Sequence, residues 1–239
     1  KLVAISHWGN NTVRIIDISS PDPKQWKHKA CHVVDYQLKL DYPLNRSVNR
    51  DAGSGYALRG TVFTPDNHYL LVGCMGGANG GGIAVVDLTT QQYLGRILGN
   101  MYNLRHIIIR DGYLYLSINR DGYIQRMPLS QFLDAVPALK VSPTKTTPLS
   151  GWQNCQVGAG ARTIEMSRDG RYIYAACNAS STLYVVDVLT FQVIAHMNGD
   201  SYPVGLEVSQ DGKYVFTTSQ GRSNGGGNCV DIFEVKAKK

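Results

Sequence analysis

The sequence contains no uninterrupted apolar stretch of about eighteen residues, so no segment of it reads as a membrane-spanning helix. Charge is scarce: Asp, Glu, Lys and Arg together make up 18% of the 239 residues. The balance is basic, at net +6, yet the Lys and Arg residues are spread through turns and both ends of the chain and are not gathered into one stripe. With no basic helix and no recurring aromatic-plus-basic platform, nucleic acid is not an expected partner. A basic surface of this kind reads either as an ordinary solvated surface or as one that attracts an acidic protein partner, an anionic glycan or a lipid headgroup. The five cysteines (Cys31, Cys74, Cys155, Cys177 and Cys229) form no CxxC or CxxCH and have no histidines at zinc-ligand spacing. There is no GxSxG elbow and no HExxH. The glycine-rich stretches GGANGGG and GRSNGGGN lack the Lys-Ser/Thr ending of a phosphate loop. These absences leave no catalytic set to name, and neither a metal nor a cofactor is expected.

What the chain does have is a repeat. Arg162–Ser219 gives its clearest copy: an apolar strand, an Asp-Gly turn, a strand ending in Ser or Cys, a polar loop, a strand carrying an acid, and a last strand. The second strand ends at Ser6, Cys74, Ser117, Cys177 and Ser219. The base period is about 42 residues with two insertions, and four short strands in that length make one propeller blade. The expected fold is therefore all-β, a β-propeller of four-stranded antiparallel blades in a single domain. Its five units run over about 1–57, 58–99, 100–154, 155–198 and 199–239. Gly (25) and Tyr (14) are abundant, as short strands and tight turns require. In the third unit SQFLDAVPAL has helical spacing and reads as one or two turns of helix before the Pro/Thr-rich VSPTKTTPLSG. The first unit lacks a first strand and the last lacks a fourth, so the chain reads either as a ring of five imperfect blades or, the favoured expectation, as part of a larger ring.

A small side chain at the end of the second strand accounts for Cys74 and Cys177 together with the three serines, which argues against a catalytic thiol. Cys31 and Cys155 lie in the insertions and leave a disulfide open. Recurrence likewise marks the turn aspartates, and Asp17, Asp87 and Asp187 of the third strands, as hydrogen-bonding residues of the repeat. Arginine opens the first strand in three units, at Arg59, Arg105 and Arg162, where the fifth unit has Val204. In a ring these positions converge on a channel mouth. Guanidiniums so placed need an anion or carboxylates between them, or else each caps a backbone carbonyl or pairs with an acid. His106, beside Arg105, is the best candidate for a base, although a lone histidine there also fits a structural role. The expected ligand-binding residues are thus Arg59, Arg105, Arg162 and His106. On the same face, His7, Trp8, Asn79, Arg120 and Arg222 are the expected partner-binding residues of the loops. Asn10, Asn45 and Asn178 head Asn-x-Ser/Thr acceptor sequences.

TPDNHYLLVG, SRDGRYIYAACNASSTLYVVDVLT and SQDGKYVFTTS resemble the YVTN-type β-propeller repeats, and ISHWGNNTVRIIDIS fits the latter half of their pattern. Four of the five units carry the resemblance; INRDGYIQRMPL departs, since its third strand lacks the acid. The resemblance implies a ring commonly of seven blades, exported to the periplasm or the cell exterior. It specifies fold far more than function. The expected function is a non-catalytic binding or scaffold module of the cell envelope, contacting a protein partner or a small anionic ligand. The alternative is an enzyme or dehydrogenase-type subunit that holds an anionic substrate or cofactor at the arginines.

Overall fold

The computed structural model describes residues 1–7, 12–33, 57–75, 81–142, 144–222 and 225–236. Trp8, Asn10, Asn45 and Asn79, and most of the first glycine-rich loop, lie outside them. The chain is all-β as the repeat predicts, with nineteen strands among the described residues arranged in five sheets.

The first sheet is β1 (Leu2–His7), β2 (Thr12–Asp17) and β3 (Lys27–Val33), in that order. The second contains β4 (Leu58–Phe63), β5 (Tyr69–Cys74), β6 (Gly82–Asp87) and β7 (Gln92–Leu98) as an antiparallel meander. The third is β8 (Leu104–Arg110), β9 (Tyr113–Ile118) and β10 (Tyr123–Pro128). Then comes the helical insertion, α1 (Leu129–Asp134) and α2 (Val136–Val141), with Pro137 in the first turn of α2, where its missing N–H is harmless. After it, β11 (Thr146–Pro148) adds to the outer edge of the second sheet, parallel to β7. The chain next supplies β12 (Gln153–Gln156), which pairs antiparallel with β10 and completes the third sheet astride the 154/155 boundary. The fourth sheet is β13 (Ala161–Met166), β14 (Tyr172–Cys177), β15 (Thr182–Asp187) and β16 (Gln192–Asn198). The fifth is β17 (Pro203–Val208), β18 (Tyr214–Ser219) and β19 (Cys229–Glu234). Successive sheets of short antiparallel strands, each built mainly from consecutive stretches of chain, are the pattern of the β-propeller class.

The chain divides into two compact units, residues 1–109 with 128–151, and residues 110–127 with 152–239. In the first, Val13 and Ile15 of β2 pack with Leu58, Leu70, Val72, Cys74, Ala84 and Val86 into one core. In the second, Tyr174, Leu183, Val208 and Val215 form the core between the fourth and fifth sheets, with Tyr172, Val185, Met197 and Phe233 at its margin.

A side-chain network explains why the repeat reads as it does. At the end of the inner strand Thr64, Ser167 and Ser209 donate to Asp66, Asp169 and Asp211, and the same carboxylates accept the N–H of His68, Arg171 and Lys213. The hydroxyls in turn accept from the N–H of Tyr69, Tyr172 and Tyr214. These bonds, led by the hydroxyl's, hold the three carboxyls below their ordinary value of 3.8. Asp17, Asp87 and Asp187 close the next hairpin by accepting backbone N–H groups from Ser19, from Thr89 and Thr90, and from Thr190. The recurring acids are therefore structural, as their recurrence implies.

Candidate functional site

The inner strand carries a second recurring device. Its pairing with the next strand slips by one residue at its start: between Leu58 and Thr61 in β4, between Ala161 and Thr163 in β13, and between Pro203 and Gly205 in β17. Arg59, Arg162 and Val204 sit in these bulges. A bulge removes a residue from the ladder and re-aims its side chain. The carbonyl it displaces is met by a hydroxyl: Ser6 donates to Arg59 at 2.7 Å, Ser117 to Arg162 at 2.5 Å, and Thr163 to Val204 at 2.7 Å. So Ser6 and Ser117 tie the end of one sheet's second strand to the inner strand of the next. The sequence marks those positions only as small. At Cys74 and Cys177 the thiol instead lies against a carbonyl of its own strand, Val72 or Ala175. Burial pushes the Cys177 thiol up to about 12, so it is no nucleophile. Cys155 is a buried free thiol, which closes the disulfide question for that residue.

In the first unit the structure brings Arg59, Arg105 and His106 to neighbouring inner strands. A Cβ on Gly60 would stand 3.0 Å from the His106 Cα and 3.1 Å from the Arg105 carbonyl oxygen, so only glycine lets β4 and β8 approach this closely. Arg59 Nε donates to the thioether of Met75 at 3.2 Å. His7 closes β1 and is half-buried.

In the second unit Arg162 is half-buried, and its guanidinium has no carboxylate within ion-pair distance among the described residues. Burial pulls its pKa below the ordinary value, while the Tyr202 phenol acts in the opposite direction. Tyr202 lies just before β17 and carries the exposed Arg222 over its ring, 4.8 Å from the centroid. The second glycine-rich loop folds back on this connection: Gln220 and Gly221 donate backbone N–H to the carbonyls of Tyr202 and Ser201. Asp200 is occupied by the same loop, accepting from the Gly227 N–H at 2.8 Å and from the Cys229 thiol at 2.9 Å. Arg120 is exposed and ion-paired with its neighbour Asp121 at 2.9 Å. Asn178 is 2% exposed, with its side-chain oxygen accepting from Asn119, so it is no glycan acceptor in the folded chain.

Sequence reasoning missed Tyr202. Its position holds Asn103 in the third unit and Gly160 in the fourth, and all three adopt the left-handed conformation, with φ of 61, 59 and 77°. Glycine and asparagine are the ordinary occupants there; an aromatic is not. A bulky residue at a small-residue position, in the one complete inner strand without an arginine, was the available signal. A cavity lies elsewhere. A groove of about 590 Å³ in the second unit has walls of Tyr172, Tyr174, Leu183, Ile194, Met197 and Phe233 and is not lined by Arg162 or Arg222. Among the described residues no three His, Cys, Asp or Glu side chains are placed to hold a metal ion.

No protein-family model matches the chain, and no curated protein is similar to it in sequence. Its fold is shared with solved structures. One is the hydrazine synthase of Kuenenia stuttgartiensis, at TM-score 0.56 and 18% identity over 81% of this chain and 49% of that one. A functionally unknown protein from Desulfotomaculum acetoxidans matches at TM-score 0.62 and 12% identity, covering 98% of this chain and 62% of that one. A protein of unknown function from Bacteroides caccae matches at 0.60 and 8%, covering 98% and 74%. The chain thus spans about half the length of the first and under two thirds of the second. At these identities the likeness speaks for the β-propeller fold alone.

Proposed function

We propose that this chain is a non-catalytic binding module of the YVTN type, part of an exported seven-bladed propeller of the cell envelope, that takes an anionic ligand or an acidic partner through the arginines of its inner strands. In the first unit the contact residues are Arg59 and Arg105, with His106 beside them; in the second, Arg162. Arg162 carries the reading. A guanidinium drawn half out of water, re-aimed by a bulge and without a carboxylate among the described residues, is a group built to meet a negative charge from outside.

Calorimetric titration of the intact protein with inorganic phosphate, acetate and citrate tests this. Wild type is expected to bind at least one of them, and Arg59→Ala combined with Arg162→Ala to abolish that binding while thermal unfolding stays cooperative. Unchanged binding in the double variant would overturn the assignment. No binding of any of these anions by the wild type would overturn it as well.

A further inference from the structure

We infer that Arg162 and Arg222 belong to one oxyanion site in the second unit, with Tyr202 as its platform, and that its preferred ligand is a phosphate group. The inference deepens the anion-binding reading and rests on it.

Three independent observations converge on these residues. The first is substitution within the repeat. The fifth unit has Val204 where Arg59 and Arg162 stand in their bulges, and it is this unit that supplies a guanidinium by another route, Arg222 from the loop after β18. The second is conformation. Tyr202 is held at φ 61° at a position suited to glycine or asparagine, and backbone strain of this kind persists where the surroundings enforce it. Here the enforcement is visible: the Tyr202 N–H donates to the Ser181 hydroxyl at 3.3 Å, its carbonyl accepts from Gln220, and its ring carries Arg222. The third is charge. The local carboxylate, Asp200, is turned into the glycine loop by Gly227 and Cys229, and Asp231 is taken up by the Asp200 N–H and by Thr217. β13 and β17 are adjacent inner strands, tied by the hydroxyl of Thr163 on the Val204 carbonyl. Arg162 and Tyr202 therefore stand at the same end of neighbouring strands. Two guanidiniums, each a planar fork of N–H donors, suit the several oxygens and double charge of a phosphate better than the two oxygens of a carboxylate.

The test is a double-variant cycle. Inorganic phosphate is titrated into the wild type, Arg162→Gln, Arg222→Gln and the double variant, with acetate as the carboxylate arm. Each single change is expected to weaken phosphate binding about tenfold or more, and the double change to weaken it by less than the product of the two. Phosphate is expected to bind more tightly than acetate. Tyr202→Phe, which keeps the ring under Arg222, should retain most of the affinity; Tyr202→Leu should lose as much as Arg222→Gln. Cooperative melting of every variant checks that each has folded. Phosphate binding that depends on Arg162 but is untouched by Arg222→Gln overturns this site while leaving the anion-binding reading intact. Acetate binding as tightly as phosphate overturns the ligand class. No anion binding by the wild type overturns both.

Discussion

β7 and β16 occupy the same place in the repeat, the outer strand of a complete sheet, yet one is buried through its middle and the other is almost wholly exposed. The difference comes from what each is given as cover. β7 is joined on its outer edge by β11, and α2 packs against it, with Leu139 beside Tyr93 and Leu94. The carbonyl of Lys145 comes so close that Arg96 N–H donates to it at 2.8 Å, and a Cβ on Gly95 would stand within clashing distance of it. Arg96 itself is 3% exposed and reaches back to the Gly81 carbonyl. β16 receives no such insertion and presents Ile194, Ala195 and Met197 to the large groove. The segment that departs from the repeat is thus the segment that finishes the second sheet. An insertion in one unit's sequence is structural cover for the unit before it.

The comparison breaks most severely if the cover is removed. Leu139→Ala should destabilise the protein by about 3 kcal/mol, since Leu139 is 1% exposed and its loss leaves a cavity against β7; chemical denaturation measures it. Gly95→Ala should follow at about 2 kcal/mol, because the side chain would enter the space of Lys145 at a φ of 141°. It should also release the amide of Arg96 to fast hydrogen exchange. Removing the hairpin acids sharpens the contrast. Asp87→Ala, at a buried site, should cost about 1–2 kcal/mol, and Asp187→Ala on the partly exposed β15–β16 hairpin less. Acid should act on both sheets alike. Burial pushes the Asp87 carboxyl up, but the N–H groups of Thr90 and Thr89 outweigh it, and the Asp187 carboxyl is lowered chiefly by Thr190. Carboxyls lowered by folding contribute stability that is fully present above the unfolded value near 3.8. That stability is lost as pH falls below it, so the melting temperature should drop below about pH 4. The smallest effect belongs to β16: Ile194→Ala, at 52% exposure, should change stability by under about 0.5 kcal/mol.

The repeat made most of the fold legible. The Asp-Gly turn and the acid of the third strand each correspond to a local hydrogen-bond network, and local networks leave a local sequence trace; the small residue ending the second strand was legible only through its recurrence. The short helices were readable from SQFLDAVPAL for the same reason. The parallel pairing of β11 with β7 was not, because it joins residues about fifty apart and TTP carries no pattern of its own. Nor was the bulge at Arg59 and Arg162: its carbonyl's partner is a serine in the preceding unit, some forty-five to fifty-three residues away. The arginines were found from recurrence alone. Tyr202 was overlooked because it breaks the repeat, and a search for recurrence passes over the residue that occurs once. Trp8 and Asn79, singled out as partner residues, fall outside the described residues.

The most direct test of the central claim, that the inner-strand Arg162 and the loop residue Arg222 meet an anion, is to follow the arginine Nε–H resonances by NMR while inorganic phosphate is added. The account predicts saturable shifts of the Arg162 and Arg222 signals, while Arg168, ion-paired with Glu207 at 3.1 Å, stays in place. Arg162 unmoved at saturating phosphate, or moving only in step with every exposed arginine, would contradict it.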